Sequence, residues 1–324
     1  MDKDLPPHKL IVFFYPAING VAFFYRGKKN SFILRIIYVS IVNLSNCNVN
    51  GTGGIYMIKC IVNGAAGRMG EHIIRAIHHT EGIQLVGAVE LKGHSLVGAD
   101  AGESLGIGKI DVPVVDSIDG VKSDCDVLID FTTPESSLSS LEWAAVKKKA
   151  VVIGTTGFSP QQRERIKKLA QDIPCVCAPN MSVGINLMFN LISQVAKILK
   201  DEYDIEIIES HHRLKKDAPS GTAVKMAQIL AHTLKRNLDK VAVHQRKGLI
   251  GERSRKEIGI QVIRGGDIVG EHTVIFAGMG ERLEITHRAH SRDTFARGAV
   301  RAAQWVVTQQ PGLYDMQDVI ELTK

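Results

Sequence analysis

From residue 57 onward, short apolar runs alternate with segments of helical periodicity. The first run, 58–62, precedes a segment in which Ile73, Ile74 and Ile77 recur at helical spacing. Strands that alternate with helices predict an α/β fold with a doubly wound parallel sheet. Helical patterns separate most of the later apolar runs, which lie at 83–89, 112–115, 127–131, 151–154 and 175–178.

The pattern changes after residue 186. A helical segment at 187–199 precedes stretches of alternating apolar and polar residues with glycine-rich turns between them: DIEIIESHH, IGIQVIRGG, GEHTVIFAG and ERLEITHRA. Alternation of period two predicts a largely antiparallel or mixed sheet. One helix, at 221–234, crosses this sheet, and a last helix at 293–308 returns to the first domain. We expect a parallel-sheet domain and a central α+β domain, which span residues 57–182 with 292–324 and residues 183–291.

Residues 1–56 have a different composition, because they hold nine of the 18 Phe, Tyr and Trp residues. Pro16, Asn19 and Arg35 interrupt their apolar runs, so neither run approaches the roughly 18 residues of a membrane span. The region is poor in acids, as transit peptides are, but also poor in Ser and Arg. We expect an N-terminal extension outside the fold, with Met57 as the natural initiator, and no membrane association.

A glycine-rich turn, NGAAGRMG, joins the first predicted strand to the first helix and places Gly64, Gly67 and Gly70 in GxxGxxG spacing. The first two glycines let the backbone turn tightly and approach a pyrophosphate, and the third lets the helix pack on the strand. The strand–turn–helix context favours a Rossmann-type dinucleotide site. Glu90, 20 residues beyond Gly70, ends the next strand. A carboxylate there binds ribose hydroxyls, unless it is an ordinary solvated strand-end glutamate.

Small polar residues follow three later strands, in DFTTPESS, GTTGFS and APNMSVGIN. Such residues cap helices routinely. Their recurrence at successive carboxyl ends of strands, where open α/β sheets bind ligands, favours a cofactor cleft at this edge.

Composition narrows the class of protein. A hydrophobic fraction of 44% and a charged fraction of 23% are ordinary for a globular chain. The net charge of +6 is spread along the sequence, without the basic stripe and interleaved aromatics of a nucleic-acid binder. Five cysteines form no disulfide framework and no metal-ligand spacing, which predicts buried thiols in a reducing, cytoplasmic compartment and no metal site.

The stretch ESHHRLKKDAPSGTA concentrates most of the candidate chemistry. A metal site is disfavoured because adjacent histidines are poorly spaced to share one ion. His211 and His212 should point to opposite faces of an extended segment and so have different roles. Ser220 is a plausible N-cap, and the amides of Gly221 and Thr222 at the helix start can bind a carboxylate. Together with Lys215, this set favours an active site for a small anionic molecule over a solvated basic patch.

These motifs, with RGGDIVGEHTVIF and GERLEITHRAHSRDTFARGA, resemble in order those of the 4-hydroxy-tetrahydrodipicolinate reductase (dihydrodipicolinate reductase) family. The resemblance spans residue 57 to the C-terminus. It implies NADH- or NADPH-dependent reduction of a cyclic imine dicarboxylate in lysine and diaminopimelate biosynthesis. It also implies a homotetramer assembled through the central sheet.

The resemblance also implies the roles of individual residues. His211 is the acid/base group, Lys215 the proton donor or charge stabiliser, and His212, Ser220, Gly221 and Thr222 bind substrate. Glu90 binds the adenosine ribose. The other cofactor-binding residues are Gly64, Ala65, Ala66, Gly67, Arg68, Met69, Phe131, Thr132, Gly154, Thr155, Thr156, Ala178, Pro179, Asn180, Met181, Arg292 and Phe295.

The chain departs from the family where an arginine often follows the acidic residue, since Leu91 occupies that place and Lys92 comes next. Glu90 also repels a 2′-phosphate, so NADH or dual use is expected, although Arg68 favours a phosphate.

The sequence leaves two alternative functions to consider. The first is another two-domain dehydrogenase, of which the phosphorylating semialdehyde type needs a nucleophilic cysteine. Cys125, Cys175 and Cys177 lie in apolar strand contexts instead. The second is a nucleotide-sensing protein without turnover, which would have no use for Lys215 and the SGT turn.

Overall fold

The computed structural model describes residues 56–321 and three strands within the preceding segment. Those strands are β1 (Ile11–Tyr15), β2 (Gly20–Arg26) and β3 (Phe32–Ile37), which form an antiparallel sheet. Residues 1–56 and 57–324 are separate compact units. No helix in the described part of the chain is long and apolar enough to cross a membrane.

The first sheet of the larger unit has seven parallel strands in the order β15-β9-β8-β7-β4-β5-β6. The strand order reverses between β4 and β7, and ligands of doubly wound sheets bind at that point. The predicted parallel sheet is confirmed. Its strands are β4 (Ile58–Asn63), β5 (Ile83–Val89), β6 (Val114–Val115), β7 (Val127–Asp130), β8 (Ala150–Ile153), β9 (Pro174–Cys177) and β15 (Gly312–Tyr314).

Helices cover both faces of this sheet, and each begins at a recognisable signal. Ser159 caps α4 in a capping box, and Pro160 occupies the first helical position, where its missing amide costs nothing. In α1, Ile73, Ile74 and Ile77 face the core. The helices of this domain are α1 (Arg68–His78), α2 (Ala101–Leu105), α3 (Pro134–Lys147), α4 (Pro160–Leu169), α8 (Asp293–Val306) and α9 (Met316–Val319).

The last long helix, α8, returns to the first sheet as predicted. Its buried face carries mainly small residues, which allow close approach. A Cβ on Gly298 would lie 1.8 Å from the carbonyl oxygen of Met181. Only glycine therefore fits where α8 crosses the loop that follows β9.

The second sheet has five strands in the order β11-β12-β10-β13-β14, parallel among the first three and antiparallel beyond. The predicted mixed sheet is confirmed. The helices α5, α6 and α7 span Val183–Leu199, Gly221–Thr233 and Leu238–Val241. The strands are β10 (Asp204–His211), β11 (Ala242–Val243), β12 (Ile258–Arg264), β13 (Gly270–Ala277) and β14 (Arg282–Ala289).

Strand β10 extends from the apolar core to the polar site. Its side chains alternate, and Ile205 and Ile207 on the inward face join the core formed with α5 and α6. The next two inward positions are Glu209 and His211, both buried. Because the strand period is two, the same face changes from apolar to ionisable within four residues.

Candidate active site

A cleft of about 300 Å³ joins the two sheets at the end of β10. It brings together predicted cofactor-binding residues and predicted substrate-binding residues that are far apart in the sequence. Those lining it are Met69, Phe131, Gly154, Pro179, Asn180, Met181, His211, His212, Lys215, Thr222, Arg292 and Phe295.

A second cleft, of about 550 Å³, lies at the reversal point of the first sheet. Phe131 lines both clefts, so they meet at the end of β7. The predicted cofactor residues Gly64, Gly67, Glu90 and Thr132 line the second cleft, together with Leu91 and Lys92.

The glycine loop fits a phosphate group. Gly64 has φ +79, and a Cβ on Gly70 would lie 2.0 Å from the Gly64 carbonyl oxygen, so the loop and α1 pack as closely as glycines permit. Gly67 is the N-cap of α1, and no side chain caps the helix. The first amides of α1, at Arg68 and Met69, therefore remain for a bound anion.

Glu90 is held against this loop by two backbone amides. The Ala66 amide donates to its Oε2 at 2.9 Å, and the Leu91 amide donates to its Oε1 at 2.8 Å. The carboxylate is thereby fixed at the rim of the second cleft, with lone pairs left to accept from hydroxyl groups.

Six of the predicted cofactor residues line neither cleft. Ala65 and Ala178 are buried, and Arg68 is exposed. The Ala66 amide is occupied by Glu90. Thr155 and Thr156 line a separate cavity of about 260 Å³.

Thr155 instead belongs to a buried network around Asp130, at the end of β7. Its Oγ1 accepts from the Thr132 amide at 3.0 Å and lies 2.7 Å from Ser137 Oγ. Asp130 accepts from Ser137 at 2.6 Å and from the Asn63 side-chain amide at 2.9 Å. The network fixes the turn after β7 against β4, which positions Phe131 and Thr132 between the two clefts.

His211, at the end of β10, is paired with a carboxylate. Its Nδ1 lies 2.6 Å from Oε2 of Glu209, whose side chain is 0% exposed. Because β10 ends at His211, alternation stops there, and both His211 and His212 line the first cleft. The expectation that the two rings face opposite sides does not hold.

Glu209 was not among the predicted site residues. Burial alone would raise the pKa of Glu209, but hydrogen bonds from His211, Arg264 and the Ser220 amide outweigh burial and lower the pKa to about 2. The signal in the sequence was an acidic residue on the inward face of an alternating strand, since such residues are rarely buried without partners.

Lys215 lies in the turn after β10 and lines the first cleft. Its Nζ is 2.8 Å from Oδ1 of Asp217, and its side chain is 21% exposed. The hydrogen bond from Lys215 lowers the pKa of Asp217. The ammonium group is thus paired with a carboxylate in the same turn, beside the cleft.

The SGT turn begins α6 as predicted. Ser220 Oγ accepts from the Ala223 amide at 3.2 Å, and the Ser220 amide donates to Glu209. The amides of Gly221 and Thr222 come first in the helix and have no intrahelical acceptor. Thr222 lines the cleft and accepts from Asn180 at 3.1 Å, whereas Ser220 is buried beneath it.

Two further histidines line the cleft and were not predicted. Burial and the neighbouring His211 lower the pKa of His272 to about 3. Burial and the neighbouring His290 lower the pKa of His287. Both rings are therefore neutral near pH 7, and they add hydrogen-bonding groups without adding charge.

Comparisons with known proteins place the chain in a family. Family models for the N-terminus and the C-terminus of dihydrodipicolinate reductase match residues 58–181 and 184–320. The 4-hydroxy-tetrahydrodipicolinate reductase of Geotalea uraniireducens is 59% identical over 266 residues, which cover 82% of this chain and 100% of the relative. The corresponding reductase of Syntrophus aciditrophicus is 59% identical over 264 residues, covering 82% and 98%.

Solved structures agree with this assignment. A dipicolinate-bound dihydrodipicolinate reductase from Paenisporosarcina sp. TG-14 superposes with a TM-score of 0.66 at 27% identity, covering 82% of this chain and 99% of that one. An amine dehydrogenase from Mycobacterium smegmatis shares the fold, with a TM-score of 0.52 at 16% identity over 79% and 94% of the two chains. From these matches and the motifs of its two domains, the chain belongs to the dihydrodipicolinate reductase family.

Proposed function

We propose that this protein reduces 4-hydroxy-tetrahydrodipicolinate to tetrahydrodipicolinate with NADH or NADPH, as a step of lysine and diaminopimelate biosynthesis. The observation that supports the proposal is the lining of the first cleft, which includes His211, Lys215 and Thr222 together with Met69 and Phe131 of the nucleotide-binding domain. The relatives are named for this reaction. The similar reductase from Paenisporosarcina sp. TG-14 has been solved with dipicolinate, a ring with two carboxylates.

The nicotinamide cofactor supplies the hydride when it is bound. The glycine loop would hold its pyrophosphate and Glu90 its adenosine ribose, and Phe131, Pro179 and Met181 would contact the nicotinamide. Gly154 makes room there, because a Cβ at this position would lie 2.1 Å from the Phe131 ring. Arg292 and Phe295 close the cleft from the start of α8.

We expect NADH to serve at least as well as NADPH. The Glu90 carboxylate, fixed by the Ala66 and Leu91 amides, repels a 2′-phosphate. Lys92 lines the same cleft and offsets part of that repulsion, whereas Arg68 lies outside it.

The residues on the substrate side of the cleft have separate roles in binding and proton transfer. The amides of Gly221 and Thr222 at the start of α6 bind one carboxylate, with the helix dipole in support. Lys215 binds the reacting end of the ring and stabilises negative charge there. His211 delivers the proton, for which an imidazole is suited near neutral pH. His212 contacts the bound ring from the same wall of the cleft.

A direct assay tests this function. The full chain is mixed with freshly generated 4-hydroxy-tetrahydrodipicolinate, and the absorbance of NADH or NADPH is followed. We expect substrate-dependent loss of absorbance with NADH at least as fast as with NADPH. No oxidation of either cofactor would overturn the proposed reaction, and a strong preference for NADPH would overturn only the role given to Glu90.

A reducing compartment suits this chemistry and the cysteines of the chain. Burial raises the pKa of Cys125 and of Cys177 to about 11, so these thiols are inert. The four cysteines in the described part of the chain are free: Cys60, Cys125, Cys175 and Cys177. We therefore propose a cytoplasmic location.

The outer face of the five-stranded sheet is proposed as the tetramer interface. Ile208 and Ile275 lie on the central strands β10 and β13 at outward positions, alternating with the buried Ile207 and Val274. Ile263 on β12 is 49% exposed. A sheet face with isoleucines at its centre is suited to pack against a second copy of itself.

Ile208→Glu is expected to break this assembly. A carboxylate at the centre of the face is solvated in a monomer but would be buried without a partner in a tetramer, at a cost of several kcal/mol. Light scattering after gel filtration should show a tetramer for the wild type and smaller species for the variant. Val146→Glu, at a position on α3 that is 79% exposed, is the control and should remain tetrameric. A tetrameric Ile208→Glu would contradict the proposed interface.

A further inference from the structure

Glu209 is a buried carboxylate beside the proposed active site, and the reaction described above gives it no role. Its side chain is 0% exposed, and its Oε2 lies 2.6 Å from Nδ1 of His211. A buried charge is costly unless it is paired, so its retention next to His211 requires an explanation.

Three donors besides His211 hold the carboxylate. Arg264 donates from Nη1 to Oε2 at 2.8 Å and from Nη2 to Oε1 at 2.9 Å. The Ser220 amide donates to Oε1 at 2.8 Å. Each oxygen therefore accepts two hydrogen bonds, and the side chain is fixed in one rotamer as an anion.

The pairing determines which nitrogen of His211 serves the cleft. An ionised carboxylate can only accept, so Nδ1 carries a proton and Nε2 is the nitrogen left for chemistry. A Cβ on Gly270 would lie 3.1 Å from Nε2. Glycine at 270 thus leaves the approach to Nε2 open.

The Glu209 carboxylate is also linked to the other proposed substrate-binding residues. Arg264 also donates to the backbone oxygen of Asp217 at 2.6 Å, and Asp217 pairs with Lys215. The Ser220 amide, bound to Glu209, starts the turn that presents Gly221 and Thr222. One buried side chain therefore connects the histidine, the lysine and the anion-binding turn.

We propose that Glu209 is the positioning residue of the site, which fixes the tautomer and orientation of His211 and aligns the lysine turn through Arg264. This inference rests on the proposed function. Arg264 keeps Glu209 anionic and thereby prevents it from taking the proton of Nδ1. The charged and titratable groups around His211 are Glu209 on β10, Arg264 on β12, His272 on β13, His287 on β14, and Lys215 with Asp217 in the turn after β10.

The variant Glu209→Gln tests the proposal, because it keeps the shape and removes the charge. We expect kcat to fall about 10- to 100-fold, with little change in KM for NADH, which binds on other elements. The pH–rate profile of the variant should differ from that of the wild type, because the group hydrogen-bonded to Nδ1 of His211 is no longer an anion.

A matched control lies on the same strand. Glu206 also forms a bidentate pair with an arginine, Arg246, at 3.0 and 2.8 Å, but it contacts no histidine. Glu206→Gln should keep the wild-type kcat and pH profile, with its assembly state checked by light scattering. A wild type without activity would count against the proposed function, whereas an active wild type with an equally active Glu209→Gln would overturn only the present inference.

A second variant separates positioning from folding. Glu209→Gln leaves Arg264 without its carboxylate partner, and the double variant Glu209→Gln/Arg264→Gln removes both charges. We expect the double variant to regain thermal stability relative to the single variant but not kcat. Recovery of both together would mean that Glu209 acts only through stability.

Nitrogen NMR of histidine-labelled protein gives a readout independent of turnover. In the wild type, the His211 signals should report a proton on Nδ1 whenever the ring is neutral. In Glu209→Gln, the side-chain amide can donate to Nδ1, so the tautomer with the proton on Nε2 should gain population. Unchanged His211 signals in the variant would contradict the role of Glu209.

Discussion

Lys215→Ala is expected to lower kcat about 100- to 1000-fold, since it removes the charge that stabilises the reacting end of the substrate. Lys215 lines the first cleft, and its ammonium group is 2.8 Å from Asp217. The cofactor is held by the glycine loop, Glu90 and the strand ends of the other domain. We therefore expect the Kd for NADH, measured by fluorescence titration, to stay within about twofold, because no nucleotide contact is removed.

The neighbouring Lys216 provides the control for this substitution. It has the same charge and lies in the same turn, but it is exposed and does not line the cleft. Lys216→Ala should retain turnover close to that of the wild type. Equal losses of turnover and cofactor affinity in Lys215→Ala would contradict its role, as would equal losses of turnover in the two variants.

The parallel sheet and its glycine loop were predictable from the sequence because their signals are local. Apolar runs, helical spacing and the GxxGxxG turn are each contained in about 20 residues of chain. The predicted strand at 112–115 is shorter in the structure, where β6 covers Val114–Val115. Strand β15 and helix α9 were not predicted, since elements of three and four residues have too few positions to show a period.

The part of the site that escaped prediction depends on contacts between distant strands. Arg264 binds Glu209, which lies 55 residues earlier in the chain. That contact exists because β10 and β12 pair in parallel, with His211 opposite Arg264. Register between strands is a tertiary property, so the alternation of each strand could place Glu209 inward but could not identify its partner.

The histidines of the site were also only partly predictable from the sequence. His211 was recognised because its neighbours in the sequence, Lys215 and the SGT turn, also carry chemistry. His272 and His287 lie opposite each other on β13 and β14, within segments that read as ordinary alternating strands. Only the closure of the sheet around the cleft brings them beside His211, at a ring-centre separation of 5.1 Å for His272.

Asp130 and Glu209 occupy equivalent positions in the two domains. Each is fully buried near the carboxyl end of a strand, and each accepts hydrogen bonds from several groups of different elements. Asp130 fixes the turn that carries Phe131 and Thr132, and Glu209 fixes the histidine and the lysine turn. Each domain thus holds its functional loop through one buried carboxylate, which provides rigid placement without the side chain itself facing the cleft.

Acid is expected to weaken the fold through Glu209. Its pKa is about 2 in the folded protein and 4.5 ordinarily, so the folded state favours the ionised form. The resulting stabilisation is fully present above about pH 4.5 and is lost as pH falls towards 2, and a difference of this size corresponds to about 3 kcal/mol. Wild-type free energies of unfolding, measured with denaturant from pH 7 downward, should fall steeply below pH 4.5.

Comparison with Glu209→Gln isolates this contribution from that of the other carboxylates. At pH 7 the variant should be less stable by about 3 kcal/mol, because it lacks the ionised carboxylate that the folded state favours. Below pH 4.5 the two curves should converge, since the wild type then also loses the charge of Glu209. The double variant Glu209→Gln/Arg264→Gln has neither charge, so its free energy should lie above that of the single variant at pH 7. Parallel curves for the wild type and Glu209→Gln, down to the lowest pH at which both proteins fold, would contradict this prediction. They would show that Glu209 titrates alike in the folded and unfolded chain. The Glu209–Arg264 pair would then stabilise the site without any linkage to pH.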